Sequence, residues 1–134
     1  MSQVSLPVSI GEFVDKITIL EIKSKRIRDI EKRKNINKEL DLLRGIWNSS
    51  PYATTDISNE WAQLKSVNES LWSIEDQIRL REAQGRFDET FVELARAVYI
   101  KNDERSAIKR RINILLESDI VEEKSYTDRT REKL

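Results

Sequence analysis

Four polar residues, Asn102, Arg105, Lys109 and Asn113, recur at intervals of three and four in the stretch VYIKNDERSAIKRRINILL, residues 98–116. On a helix that spacing sets them on one face, one turn after another. Val98, Ile112 and Leu116 share the face, so apolar side chains were to be expected where the amides and cations stand. A guanidinium, an ammonium and two amides in a row are donors suited to a phosphate or carboxylate, which Arg can bind through two parallel hydrogen bonds. Near the other end of the chain, Glu12 and Asp15 place two carboxylates one turn apart, followed by Lys16 and Lys23.

Three chemistries are open to this set. In the first, Arg105 and Lys109 meet Glu12 and Asp15, and the result is an internal ion-pair and amide network that fixes how two helices register. In the second, Lys16, Lys23, Arg105 and Lys109 converge with the Asn side chains on an anion pocket whose cations outnumber its carboxylates. In the third, Glu12 and Asp15 join Asp103 and Glu104 around Mg²⁺, as adjacent helices do in all-helical nucleotide pyrophosphatases. That would make a small enzyme acting on a phosphorylated or nucleotide-sugar substrate. The chain has no His and no Cys, which excludes imidazole acid–base catalysis, thiolate chemistry, disulfides and most zinc sites. No cofactor is expected.

The elements that must position these residues read as helices. Ser9 and Glu12 stand at capping-box spacing, with the Ser9 hydroxyl on the amide of residue 12 and the Glu12 carboxylate reaching back. The first helix should then run from Ile10 to about Arg33. Ile10, Phe13, Val14, Ile17, Leu20 and Ile27 make one apolar face, and Ile19, Ile22 and Ile30 a second on the other side. A helix apolar on two sides is surrounded by neighbours. A second helix is expected from Ile36 to Trp47, after a kink near Lys34 with Asn35 as cap, and a third from Ser58 to Ala83. The third carries a heptad seam of Leu64, Val67, Leu71, Ile74 and Ile78, flanked by Trp61 and Trp72. Gly85 breaks the pattern and Asp88 caps the fourth helix, which is continuous to Leu116 or restarts at Asn102 or Asp103.

The fold class is therefore all-α, an antiparallel bundle of about four helices with a short extended N-terminal arm in which Val4, Leu6, Val8 and Ile10 alternate with other residues. Residues 1–126 read as one domain of a 134-residue chain and residues 127–134 as a polar tail that frays. Lys+Arg and Asp+Glu are equal at 24 each, so no global field draws the chain to nucleic acid or an anionic membrane. The basic run KSKRIRDIEKRK scatters its cations around the helix, whereas a groove-reading stripe is one-sided. No apolar run approaches the roughly 20 residues that cross a bilayer, and the N-terminus lacks the pattern of a signal peptide. A cytoplasmic location is expected. The narrow seam and the flanking tryptophans leave apolar surface for a second subunit, which predicts a homodimer.

Two segments, PVSIGEFVDKITILEIKSKRI (residues 7–27) and IKNDERSAIKRRIN with SDIVEEKSY (within residues 100–126), resemble an uncharacterised family of small bacterial and phage proteins, a domain of unknown function. The resemblance covers nearly the whole chain and falls on Ser9, Gly11, Glu12, Asp15, Lys16, Thr18, Lys23, Asn102, Arg105, Lys109, Asn113, Glu122, Glu123, Lys124 and Tyr126. It implies no activity; it points to a neighbourhood of sugar-transferring and surface-polysaccharide proteins, and so to a glycosyltransferase-type partner. The EEKSY stretch adds the expectation that the C-terminus folds back over the pocket, bringing Glu123 and Tyr126 to the cations. The leading function is a non-enzymatic binding or adaptor module. Its candidate ligand residues are Glu12, Asp15, Lys16, Lys23, Asn102, Arg105, Lys109, Asn113 and Tyr126.

Overall fold

The computed structural model describes residues 2–125 of the chain. It holds four helices, α1 (Ile10–Arg26), α2 (Ile30–Ser49), α3 (Ser58–Ala83) and α4 (Glu89–Leu115), with a 3-10 turn at Pro51–Thr54 between α2 and α3. α1 packs against all three other helices. Its expected first face divides between two core clusters: Ile10 and Val14 join Leu64, Val67, Ile108, Ile112 and Leu116 in the larger, and Ile17 and Leu20 join Leu40, with Phe13, Leu43 and Trp47 at its edge. Of the expected second stripe, Ile22 is buried and Ile19 half-buried.

The first helix is shorter than its apolar spacing predicts. It ends at Arg26 because Ile27 turns to extended backbone (φ −82°, ψ 126°), and the Asp29 carboxylate then caps a new helix by accepting the Lys32 amide at 2.9 Å. α2 therefore begins at Ile30 rather than Ile36, Asn35 lies inside it rather than at its cap, and Ile30 is exposed. α3 has the expected bounds. α4 runs unbroken through Asn102, started by Asp88, whose carboxylate accepts the Phe91 amide at 3.1 Å. Gly85 takes φ +64° at the α3–α4 turn, the left-handed conformation that glycine adopts without a Cβ clash.

Trp61 does not stand on an outer face. It meets Trp47 edge-on at 5.4 Å between ring centroids, and Trp47 stacks on Phe13 at 6.4 Å, so the aromatic residues from α1, α2 and α3 close one end of the second cluster. The Trp61 indole N–H donates to Glu21 at 3.2 Å, giving its polar edge a partner.

Gly45 sits inside α2 on an exposed surface, and a Cβ built there meets nothing within 4 Å. Gly45→Ala is expected to stabilise the protein by about 0.5–1 kcal/mol, the helix-interior penalty of glycine. A urea titration of the two proteins measures it.

Candidate functional site

The start of α1 is built into α4 and the segment after it. Helix N-termini carry backbone N–H groups with no intrahelical partner. Here the Ile10 amide donates to the Ser118 hydroxyl at 3.1 Å, the Gly11 amide to the Asn113 side-chain oxygen at 2.6 Å and the Glu12 amide to the Ser9 hydroxyl at 3.1 Å. Ser9 thus caps the helix as expected. The Glu12 carboxylate does not complete the capping box, because it binds the Lys109 ammonium instead. The approach is close: a Cβ on Gly11 would lie 2.4 Å from the Lys109 backbone oxygen.

One turn further along, Asp15 is buried at 1% exposure and is gripped from two sides. Arg105 donates to both of its oxygens, through Nε at 3.0 Å and through Nη2. Asn68 on α3 donates to the same carboxylate at 2.9 Å and to the Thr18 hydroxyl at 3.0 Å, while Thr18 donates to the Asp15 carbonyl at 2.8 Å. The hydrogen bonds to Asp15 raise the Arg105 pKa above its ordinary value against the opposing pull of burial, so the guanidinium stays charged. Among the described residues no buried side-chain nitrogen or oxygen lacks a partner. Asn68 has no precedent in the motifs of the terminal segments. Its only signal in the sequence is a polar side chain four residues after Leu64 and three before Leu71, in step with the seam.

After α4 the chain turns back on itself. Glu117 adopts φ 51°, and the Ser118 amide returns to the Asn113 carbonyl at 2.8 Å, closing the helix end. The following segment returns along α4. The Glu122 carboxylate accepts from the Ser9 hydroxyl at 2.5 Å, Glu123 pairs with Arg110 at 2.6 Å, and Lys124 lies 3.6 Å from Asp103. Between this segment and α4 opens a cleft of about 900 Å³. Val98, Tyr99, Asn102, Arg105, Ser106 and Lys109 face it from the helix, and Glu122, Glu123 and Lys124 from the segment. The Arg105 side chain, 28% exposed, is held by Asp15 along one edge. Its Nη1 lies on the other edge, 3.4 Å from the Asn102 side-chain oxygen.

Of the nine residues singled out, Asn102, Arg105, Lys109 and Asn113 line the cleft, and Glu12 and Asp15 stand behind it, joined to Lys109 and Arg105. Lys16 points away, 56% exposed, and pairs with Glu39 on α2 at 3.2 Å. Lys23, two turns past Asp15 on α1, is not among the residues lining the cleft. Tyr126 and the tail from residue 127 lie outside the described residues. The expected excess of cations is absent from the cluster, since Asp15 and Glu12 match Arg105 and Lys109 one for one. The Mg²⁺ arrangement does not assemble either. Among the described residues no three carboxylates converge on one point; Glu12 and Asp15 hold cations, and Asp103 and Glu104 pair with Lys124 and Lys101. No helix in the described residues is long and apolar enough to cross a membrane.

The chain belongs to a family of unknown function, DUF6165, whose profile matches residues 4–131. Searches of curated proteins and of solved structures found no match.

Proposed function

We propose that the protein is a non-catalytic binding module whose cleft between α4 and the returning C-terminal segment takes a small molecule bearing a phosphate or carboxylate. The observation that carries this reading is the clamping of Arg105: with Nε and Nη2 fixed on buried Asp15, the guanidinium is held rigid and turns its remaining edge to the cleft. A preoriented guanidinium loses little freedom when it binds an oxyanion. Asn102 and Ser106 add polar groups, and Val98 and Tyr99 add an apolar wall, the usual balance of a ligand site. The carboxylates at the cleft are engaged: Glu122 by Ser9, Glu123 by Arg110, Asp103 by Lys124. That favours binding over acid–base work. The neighbourhood implied by the family resemblance makes a phosphorylated or nucleotide-activated sugar the first organic ligand to try.

Inorganic pyrophosphate is the simplest probe. At ten times its Kd a ligand adds about 1.4 kcal/mol of stability, a rise of about 4–7 °C in Tm for a domain of this length. Ser106→Phe, which fills the cleft without touching the ion pairs, should abolish the rise and keep the ligand-free Tm within about 1 °C of wild type. A wild-type Tm indifferent to pyrophosphate and to a nucleoside-diphosphate sugar at millimolar concentration would remove the reading.

A further inference from the structure

From residue 69 to residue 107, through the second half of α3, the turn and two thirds of α4, no residue is buried. The first half of the hairpin is covered by α1, where Asn68, Leu64, Ile108 and Ile112 are buried. Beyond it the two helices continue as an arm, about 22 Å long on the α3 side at 1.5 Å per residue, whose base still lies beside Arg26 at the end of α1, near Glu69, Ser70 and Ile74. The seam residues Leu71, Ile74, Ile78, Phe91 and Leu94 are only partly covered there, and Leu80 and Phe87 stand 58% and 60% exposed. Leu71 still packs against the main core; past it the seam is covered only in part, which leaves apolar surface open to a partner.

The surface of α3 on this arm matches itself. Trp72, Asp76, Arg79 and Ala83 follow at i, i+4, i+7 and i+11, one stripe along the helix. Among the described residues no ion pair engages Asp76 or Arg79, although they stand one turn apart. We propose that a second copy of this chain docks on this stripe, α3 antiparallel to α3, about a two-fold axis passing between Gln77 and Ile78. In that register Asp76 meets Arg79 of the partner subunit and Arg79 meets the partner's Asp76. Trp72, the large half-buried side chain, lies over the small Ala83 of the partner subunit. A two-fold interface must be self-complementary in charge and in shape, and this stripe is both.

Sedimentation velocity on the full chain tests it. The wild type should sediment as a dimer at a concentration on the order of 100 μM, as expected for a micromolar interface of modest size. Arg79→Asp sets four carboxylates against one another and should weaken association at least tenfold, with helicity by circular dichroism unchanged. Asp76→Arg combined with Arg79→Asp restores opposite charges across the axis and should restore the dimer. A monomeric wild type would overturn the proposal and leave the arm to another occupant, such as the chain beyond residue 125 or a different protein. Dimerisation of Arg79→Asp at wild-type strength, or a charge-swapped double variant that stays monomeric, would overturn it equally.

Discussion

Asp15→Ala should lower the free energy of unfolding by about 3–5 kcal/mol, the range for removing one member of a buried ion pair. The loss is large because, among the described residues, the carboxylate is the only hydrogen-bond partner of Nε and Nη2 of Arg105, and because it also receives the Asn68 amide from α3. Without it the guanidinium keeps its charge, as arginine does in proteins, and its inner edge is left against α1 with no partner. The neighbouring residue supplies the control. Lys16→Ala breaks an ion pair of similar formal kind with Glu39, but both partners are about half exposed, so the change should stay within about 0.5 kcal/mol. Replacing both members of the buried pair, Asp15→Leu with Arg105→Leu, should cost less than Asp15→Ala alone, since two apolar side chains leave no charge stranded. Urea titrations of the four proteins decide the matter, and a domain whose total stability is about 5–15 kcal/mol makes the first difference easy to read. Equal effects of Asp15→Ala and Lys16→Ala would mean that the contact is not formed in solution.

The two neighbours also show where the sequence is legible and where it stops. Polar residues at helical spacing on a face that should be apolar announced the α4 side of the cluster, and Glu12 and Asp15 announced the α1 side, because period is a local property. Which of several wedged charges faces which neighbour is not local. Asp15 and Lys16 differ by one residue, or about 100° around the helix axis, and only the directions of α2 and α4 decide that one is buried and the other solvated. The same limit hid Asn68, Ser118 and the Ser9–Glu122 bond, whose partners are separated by fifty to more than a hundred residues. The end of α1 failed for a different reason. Ile27 and Ile30 prolong the apolar spacing, and the capping power of Asp29, visible as a carboxylate three residues before Lys32, outweighed it. Strong periodicity therefore located the helices, and capping chemistry decided their ends.

Gly11→Ala should be the second most damaging single change, and by a route that involves no charge. A Cβ at residue 11 would sit 2.4 Å from the Lys109 carbonyl oxygen and 3.0 Å from the Asn113 side-chain oxygen, where ordinary contact needs about 3.5 Å. The Asn113 side chain could rotate aside. The Lys109 carbonyl cannot, because it belongs to the backbone of a helix packed between α1 and α3, so α1 must withdraw by about 1 Å. Withdrawal breaks the 2.6 Å bond from the Gly11 amide to Asn113 and loosens Val14 from Ile112 in the core below. Overpacking of about 1–3 kcal/mol and a buried hydrogen bond lost at about 1–3 kcal/mol act against the roughly 1 kcal/mol that alanine gains over glycine within a helix. The net expectation is a loss of about 1–5 kcal/mol. Gly45→Ala, chemically the same substitution, goes in the opposite direction, because no neighbour stands where its methyl group arrives. Since the obstacle is main chain, trimming the facing helix gives no relief: Gly11→Ala with Asn113→Ala should be no more stable than Gly11→Ala by itself. Thermal or urea unfolding in which the Gly11 variant matched wild type would show that α1 and α4 do not approach backbone to backbone. The amides at the start of α1, the Glu12–Lys109 pair and the floor of the cleft would then need a different arrangement.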